Sequence, residues 1–170
     1  MLATRPTART AVRLLPAEVL LDAIGQALGK PGSFASGPAG LRAVQLPGAR
    51  MGGEFLKVFG KPDRLLTCEC ERSESTTLAQ AFQLINGTAV RTVLEADDNR
   101  IGRLLRAGTP APALLEELAL AVLGRLPTAA ERAGFLAHVT RAGGSEPDRR
   151  KAWEDVAWAM INSKEFLLRH

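Results

Sequence analysis

The chain has 170 residues, a net charge of +4, 46% apolar residues and 24% charged residues. That suffices for one domain with its own hydrophobic core, is too little for two of ordinary size, and has the balance of a globular rather than a disordered protein. No apolar run approaches the ~18 residues of a membrane span, and the arginines are scattered rather than blocked, so the sequence indicates neither a bilayer nor a nucleic acid as partner.

The first fifteen residues, MLATRPTARTAVRLL, carry Arg5, Arg9 and Arg13 and no acid before Glu18. They superficially resemble an organellar transit peptide and lack the apolar core of a secretory signal; they are read as a basic, flexible leader over 1–15. Residues 16–170 are expected to form a single helical domain, loop-rich over 30–74 and bundled over 75–170. Pro16 suits a first helical turn, Leu20, Ile24 and Leu28 share a stripe with Leu21 beside it, and Gly29 is placed to end the helix. The Gly/Pro-rich stretch that follows reads as a long loop with one short extended piece at LRAVQL, residues 41–46. EFLKVFG has the length of one or two helical turns, and RLLTCEC reads as an extended segment.

From residue 75 the pattern is helical. Ser75 or Thr76 caps a helix with Leu78, Phe82 and Ile85 on one face, ending at Asn86-Gly87. Thr88 opens another, with Val90, Val93 and Leu94 inward. Asp97 or Asp98 is expected to cap a piece carrying Ile101, Leu104 and Leu105. APALLEELALAVLGR is the most apolar helix and is placed at the centre. PTAAERAGFLAHV opens with the capping box Thr128/Glu131. Pro147 or Asp148 is expected to start a helix through Ile161, which Asn162-Ser163 interrupts before a last turn. The fold class is therefore mainly α: a bundle of about five to seven helices, a long Gly/Pro-rich loop, and at most a short β-hairpin or extended arm.

Cys68 and Cys70 are the only cysteines of the chain. In an extended segment they project to one side, with Glu69 and Glu71 on the other. Their α-carbons would lie roughly 6.5 Å apart with parallel side chains, near the limit of disulfide geometry, so a bond between them would be strained and easily reduced. Two thiolates supply half of a tetrahedral zinc shell, yet neither His138 nor His170 stands at zinc-ligand spacing. The stretch is read as packed thiols anchoring the lead-in against the bundle, with a metal or redox role, a strained disulfide and a bond to a partner as alternatives. Arg64 and Arg72 flank it, and could lower a thiol pKa or pair with Glu69, Glu71 or Glu74. Arg64, Cys68, Cys70, Glu71 and Arg72 together form the candidate site or anchor.

On the 153–166 stretch, Trp153, Val156, Ala157 and Met160 share a core face, whereas Trp158 falls about 140° from Trp153 at 100° per residue. An aromatic so placed marks either an interface or a second core layer. Arg100, Arg103 and Arg106, with Arg91 nearby, recur at helical spacing; without interleaved aromatics they read as a solvated face rather than a phosphate row. Catalytic combinations are thin. His138 sits beside Leu136 and Val139 as a core-edge or surface histidine, Ser73 and Ser75 have no nearby histidine, there is no G-x-S-x-G, and Gly25, Gly29 and Gly32 do not open a phosphate-binding helix. Thr76, Thr77 and Gln80 are read as capping residues.

RAVQLP at 42–47, FGKPDR at 59–64, CECER at 68–72, TLAQAFQLIN at 77–86, GRLPTAAE at 124–131 and EDVAWAMINSKEFLLRH at 154–170 occur in this order. Together they resemble the C-terminal part of the planctomycete-type domain of unknown function 1553, over roughly residues 11 to 170. The resemblance implies a large, exported bacterial protein in which this domain follows a domain of unknown function 1549, sometimes behind a cytochrome-c-like segment. This chain has no C-x-x-C-H, so that haem attachment is not expected, and it shows no export signal; a truncated version of a longer domain is the expectation. No cofactor is predicted beyond the metal alternative at Cys68 and Cys70. The expected role is a non-catalytic helical docking or structural module whose partner is another protein or the upstream half of the domain, with Trp158 at the interface. The alternative is a fragment of a redox or polysaccharide-directed enzyme whose site includes Cys68 and Cys70.

Overall fold

The computed structural model describes residues 13–32, 34, 40–48, 53–59, 61 and 87–169. Helix α1 (Ala17–Ala27) begins behind Pro16, whose fixed φ suits a helix entry, and buries Leu20, Leu21 and Ile24. Leu28 continues the stripe, and Gly29 ends it with a φ of +63°, a left-handed conformation in which a side chain would also meet the Arg103 guanidinium. Ahead of α1, β1 (Arg13–Leu14) pairs antiparallel with β2 (Leu168–Arg169), Leu14 opposite Leu168. Leu15 extends the ladder by donating its N–H to the Leu167 carbonyl at 2.9 Å. A two-residue ladder does not hold by itself; here the helices on either side bring its strands together.

The segment 41–46 is not the extended piece that its sequence predicts. Arg42 and Leu46 are extended, but Ala43–Gln45 is a 3-10 turn. The cause is Asp22 on α1, whose carboxylate accepts the Ala43 N–H at 2.6 Å and the Val44 N–H at 3.1 Å, as at a helix start. Lys61 closes the turn from the far side, donating to the Ala43 carbonyl at 2.8 Å. Helix α2 (Gly53–Val58) buries Phe55 and Leu56 against α1, and the Phe55 and Phe59 rings stack with centroids 4.4 Å apart.

The remaining helices are α3 (Thr88–Glu95), α4 (Arg100–Arg106), α5 (Ala111–Leu123), α6 (Ala129–Arg141), α7 (Glu146–Ile161) and α8 (Lys164–Leu167). Among the described residues the chain is thus mainly helical, as expected. Helix α5 is central: it packs on α1, α4, α6, α7 and α8, and Leu114, Leu115, Leu118 and Ala119 are wholly buried. Helix α7 is the second pillar, against α3, α4, α5 and α6, with Trp153, Val156, Ala157 and Met160 in the core.

Two helix starts differ from their sequence reading. The cap of α4 is Asn99, not Asp97 or Asp98: its Oδ1 accepts the Gly102 N–H at 2.9 Å, while its Nδ2 donates to the Val93 and Leu94 carbonyls. A side-chain amide can donate twice and accept at once, so one buried residue ends α3 and starts α4. Asp98 instead pairs with Lys30, which holds its carboxyl below the usual range. Helix α7 starts at Glu146, one residue before Pro147 and two before Asp148, because Ser145 caps it by accepting the Asp148 N–H. The capping box of α6 forms as read: Thr128 and Glu131 exchange hydrogen bonds, Thr128 N–H to Glu131 Oε2 at 2.7 Å and Glu131 N–H to Thr128 Oγ1 at 3.3 Å. Arg125 reaches from the preceding turn to Glu131 at 2.9 Å and to Glu165 on α8 at 2.7 Å, clamping the last helix to the bundle.

Candidate protein-interaction surface

The arginine row of α4 is exposed at Arg103 and Arg106, and its guanidinium groups also bond backbone carbonyls. Arg100 donates Nε to the Ala27 carbonyl and pairs with Glu117 at 2.5 Å. Arg103 donates to the Gly29 and Asp98 carbonyls, and Arg106 to that of Asp97. The end of α1 and the turn between α3 and α4 present carbonyl oxygens without helical partners, and guanidinium groups satisfy them. Arg150 on α7 does the same for Ala96 at 2.8 Å and also bonds Glu154 at 2.8 Å; both side chains are largely buried. Gly102 is required here, since a Cβ at that position would collide with the Asp97 carbonyl oxygen. These cations hold the framework together and are not available as a phosphate row.

With that framework fixed, Trp158 stands on the side of α7 that turns away from Trp153. It is partly exposed and packs against the margin of the core. A cleft lies on each side of it. One, about 360 Å³, runs between α3 and α7 with Val90, Leu94 and Trp158 as its apolar part and Arg91, Glu95 and Lys151 on its rim. The other, about 300 Å³, runs between α6 and α7 with Phe135, Val156 and Trp158. Asp155 and Trp158, one turn apart, line both clefts and form the ridge between them.

The ridge carries mixed charge. Arg91 pairs with Glu95 at 3.3 Å, and Lys151 lies 3.7 Å from both Glu154 and Asp155. The exposed Arg91–Glu95 and Lys151–Asp155 pairs are worth about 0–1 kcal/mol each. His138 Nε2 is 3.4 Å from Asp155 Oδ2, within ion-pair range, and makes no hydrogen bond. His138 is thus the core-edge residue that its neighbours predict. Among the described residues no serine, threonine or cysteine donates to His138. No group of three or more His, Cys, Asp or Glu side chains converges to hold a metal among the described residues.

Of the residues singled out by sequence, Trp158 and His138 come together, on either side of one cleft. Arg64, Cys68, Cys70, Glu71 and Arg72 lie outside the described residues, as do the capping residues Ser75 and Thr76 and the predicted face of Leu78, Phe82 and Ile85. The pair Arg150–Glu154 was not anticipated, although its i, i+4 spacing is a signal for it. Phe135, which forms the wall opposite Trp158, gives no such signal; only the crossing of α6 and α7 places it there.

No helix among the described residues is long and apolar enough to cross a membrane. No curated protein and no solved structure matches the chain. A family model does match, over residues 3–139, so the GRLPTAAE motif lies within the matched stretch and the 154–170 motif beyond it. The chain belongs to the family described as protein of unknown function DUF1553.

Proposed function

We propose that this chain is a non-catalytic helical docking module that joins a larger exported bacterial protein assembly, with the surface around Trp158 as its contact. The observation that carries this reading is a tryptophan partly exposed on a ridge between two clefts, on a helix that buries Trp153, Val156, Ala157 and Met160 in the core. Tryptophan is among the residues most enriched at the energetic centres of interfaces. The weak, exposed ion pairs around it form the kind of rim that desolvates at small cost. The export context rests on the family resemblance.

The test uses the full purified chain. It should bind a hydrophobic dye such as anilinonaphthalene sulfonate, or self-associate in sedimentation velocity, and Trp158→Glu should suppress either behaviour while leaving the far-UV circular dichroism unchanged. A strictly monomeric chain that binds no dye would contradict the proposal, as would dye binding that Trp158→Glu leaves intact.

A further inference from the structure

A third cleft, about 260 Å³, opens where the turn between α4 and α5 meets α6 and α7. Leu105, Val139 and Trp153 supply its apolar wall, the last two being 7% and 1% exposed, and Thr109 and Arg149 stand beside them. Its charge is one-sided, because among the described residues no acidic side chain lines it. Arg100, Arg103, Arg106 and Arg150 are all engaged by carbonyls or carboxylates. Arg149, exposed on the first turns of α7, has no side-chain hydrogen bond or ion pair among the described residues. The acid next to it, Asp148, is held by Ser145 at 2.5 Å, and Glu146 one turn earlier makes no ion pair with it. Helix α5 also begins at this cleft, behind Pro110, with no side-chain cap and no acid in its first turn, which adds to the positive potential.

We infer that this cleft anchors an acidic segment of a partner protein: an aromatic or branched aliphatic side chain enters beside Trp153 and Val139, and an adjacent Asp or Glu carboxylate pairs with Arg149. The size argues for one anchoring side chain, since pockets for small organic ligands run roughly 300–1,000 Å³. A guanidinium without an intramolecular partner gives up little on pairing with a carboxylate and can do so bidentately. This inference rests on the docking reading only in supposing a protein partner, and it lies on the opposite side of α7 from Trp158.

The experiment titrates the full ¹⁵N-labelled chain with two acetylated, amidated hexapeptides, EEFLEE and KKFLKK. The expected result is a shift of the Gly108 and Thr109 amides and the Trp153 indole that saturates by about 1 mM EEFLEE. The Trp158 indole should stay unmoved, KKFLKK should give no response, and Arg149→Glu should weaken binding at least tenfold. Arg149→Lys, which keeps the charge but loses the planar fork, should weaken binding less than Arg149→Glu does. No saturable shift at this cleft, equal binding by Arg149→Glu, or an equal response to KKFLKK would overturn the inference. Shifts confined to the Trp158 indole would overturn it too while leaving the docking reading standing; dye binding that ignores Trp158, beside an intact EEFLEE response, would do the reverse.

Discussion

Asn99 joins two helices through three hydrogen bonds while wholly buried, and Asn99→Ala removes all three at once. Loss of the cap on α4 costs about 1 kcal/mol. The part-buried Val93 carbonyl is then left without its side-chain donor, at up to about 1–3 kcal/mol, the range for a fully buried polar group. The Leu94 carbonyl keeps a long contact with Arg150 at 3.4 Å and adds less. The expected loss is therefore about 3 kcal/mol, a large share of the 5–15 kcal/mol typical of a domain. At about 2–4 °C per kcal/mol this lowers the melting temperature by about 6–12 °C. Asn99→Asp separates the two roles: it keeps an acceptor for the Gly102 N–H but turns a second oxygen toward the two carbonyls. Urea denaturation followed by circular dichroism should show both variants destabilised by 2 kcal/mol or more, in rough terms. An Asn99→Asp protein as stable as the wild type would show that capping alone matters; an Asn99→Ala protein within about 1 kcal/mol of it would refute the linking role altogether.

Acid should loosen the Arg125 clamp. Hydrogen bonding from Arg125, and then from Thr128, holds the Glu131 carboxyl down at about 2, and Arg125 also lowers Glu165. A carboxylate with a lowered folded pKa contributes stability that is present above its ordinary value near 4.5 and lost as the pH falls through the folded value. Unfolding free energy should thus decline between about pH 4.5 and 2, and Arg125→Met should flatten that decline, as denaturation at a series of pH values would show. Trp153→Ala should cost about 3–5 kcal/mol because it empties a fully buried site, whereas Trp158→Ala should cost clearly less; equal losses would place both tryptophans in the core. Asp22→Ala should free the 43–45 turn from α1, raising hydrogen exchange at the Ala43 and Val44 amides while α5 stays protected; unchanged exchange there would contradict the capping role of Asp22.

What the sequence discloses here is what depends on local chemistry. Leu20, Ile24 and Leu28 at helical spacing, the Thr128/Glu131 box and the Asn162-Ser163 break all act within a few residues, and each stands where periodicity and capping put it. The misreadings have long-range causes. Ala43–Gln45 turns because of Asp22, twenty-one residues earlier. Asp98 is diverted from capping by Lys30, sixty-eight residues away, and Asn99 takes the cap because its amide can serve α3 as well. A helical wheel places the α4 arginines on an exposed face but does not show the carbonyls they also meet, at the end of α1 and in the turn before α4. Trp158 was legible as off the core face. The clefts beside it were not, since they arise from the crossing of α3 and α6 with α7.

Helix α7 faces two ways, with Trp153 buried in the core and Trp158 partly exposed between two clefts. Acrylamide quenching of tryptophan fluorescence in Trp153→Phe, where only Trp158 reports, and in Trp158→Phe, where only Trp153 reports, tests this directly. The prediction is a redder emission and a several-fold steeper quenching slope for Trp158 than for Trp153. Equal slopes and coincident emission maxima would contradict it.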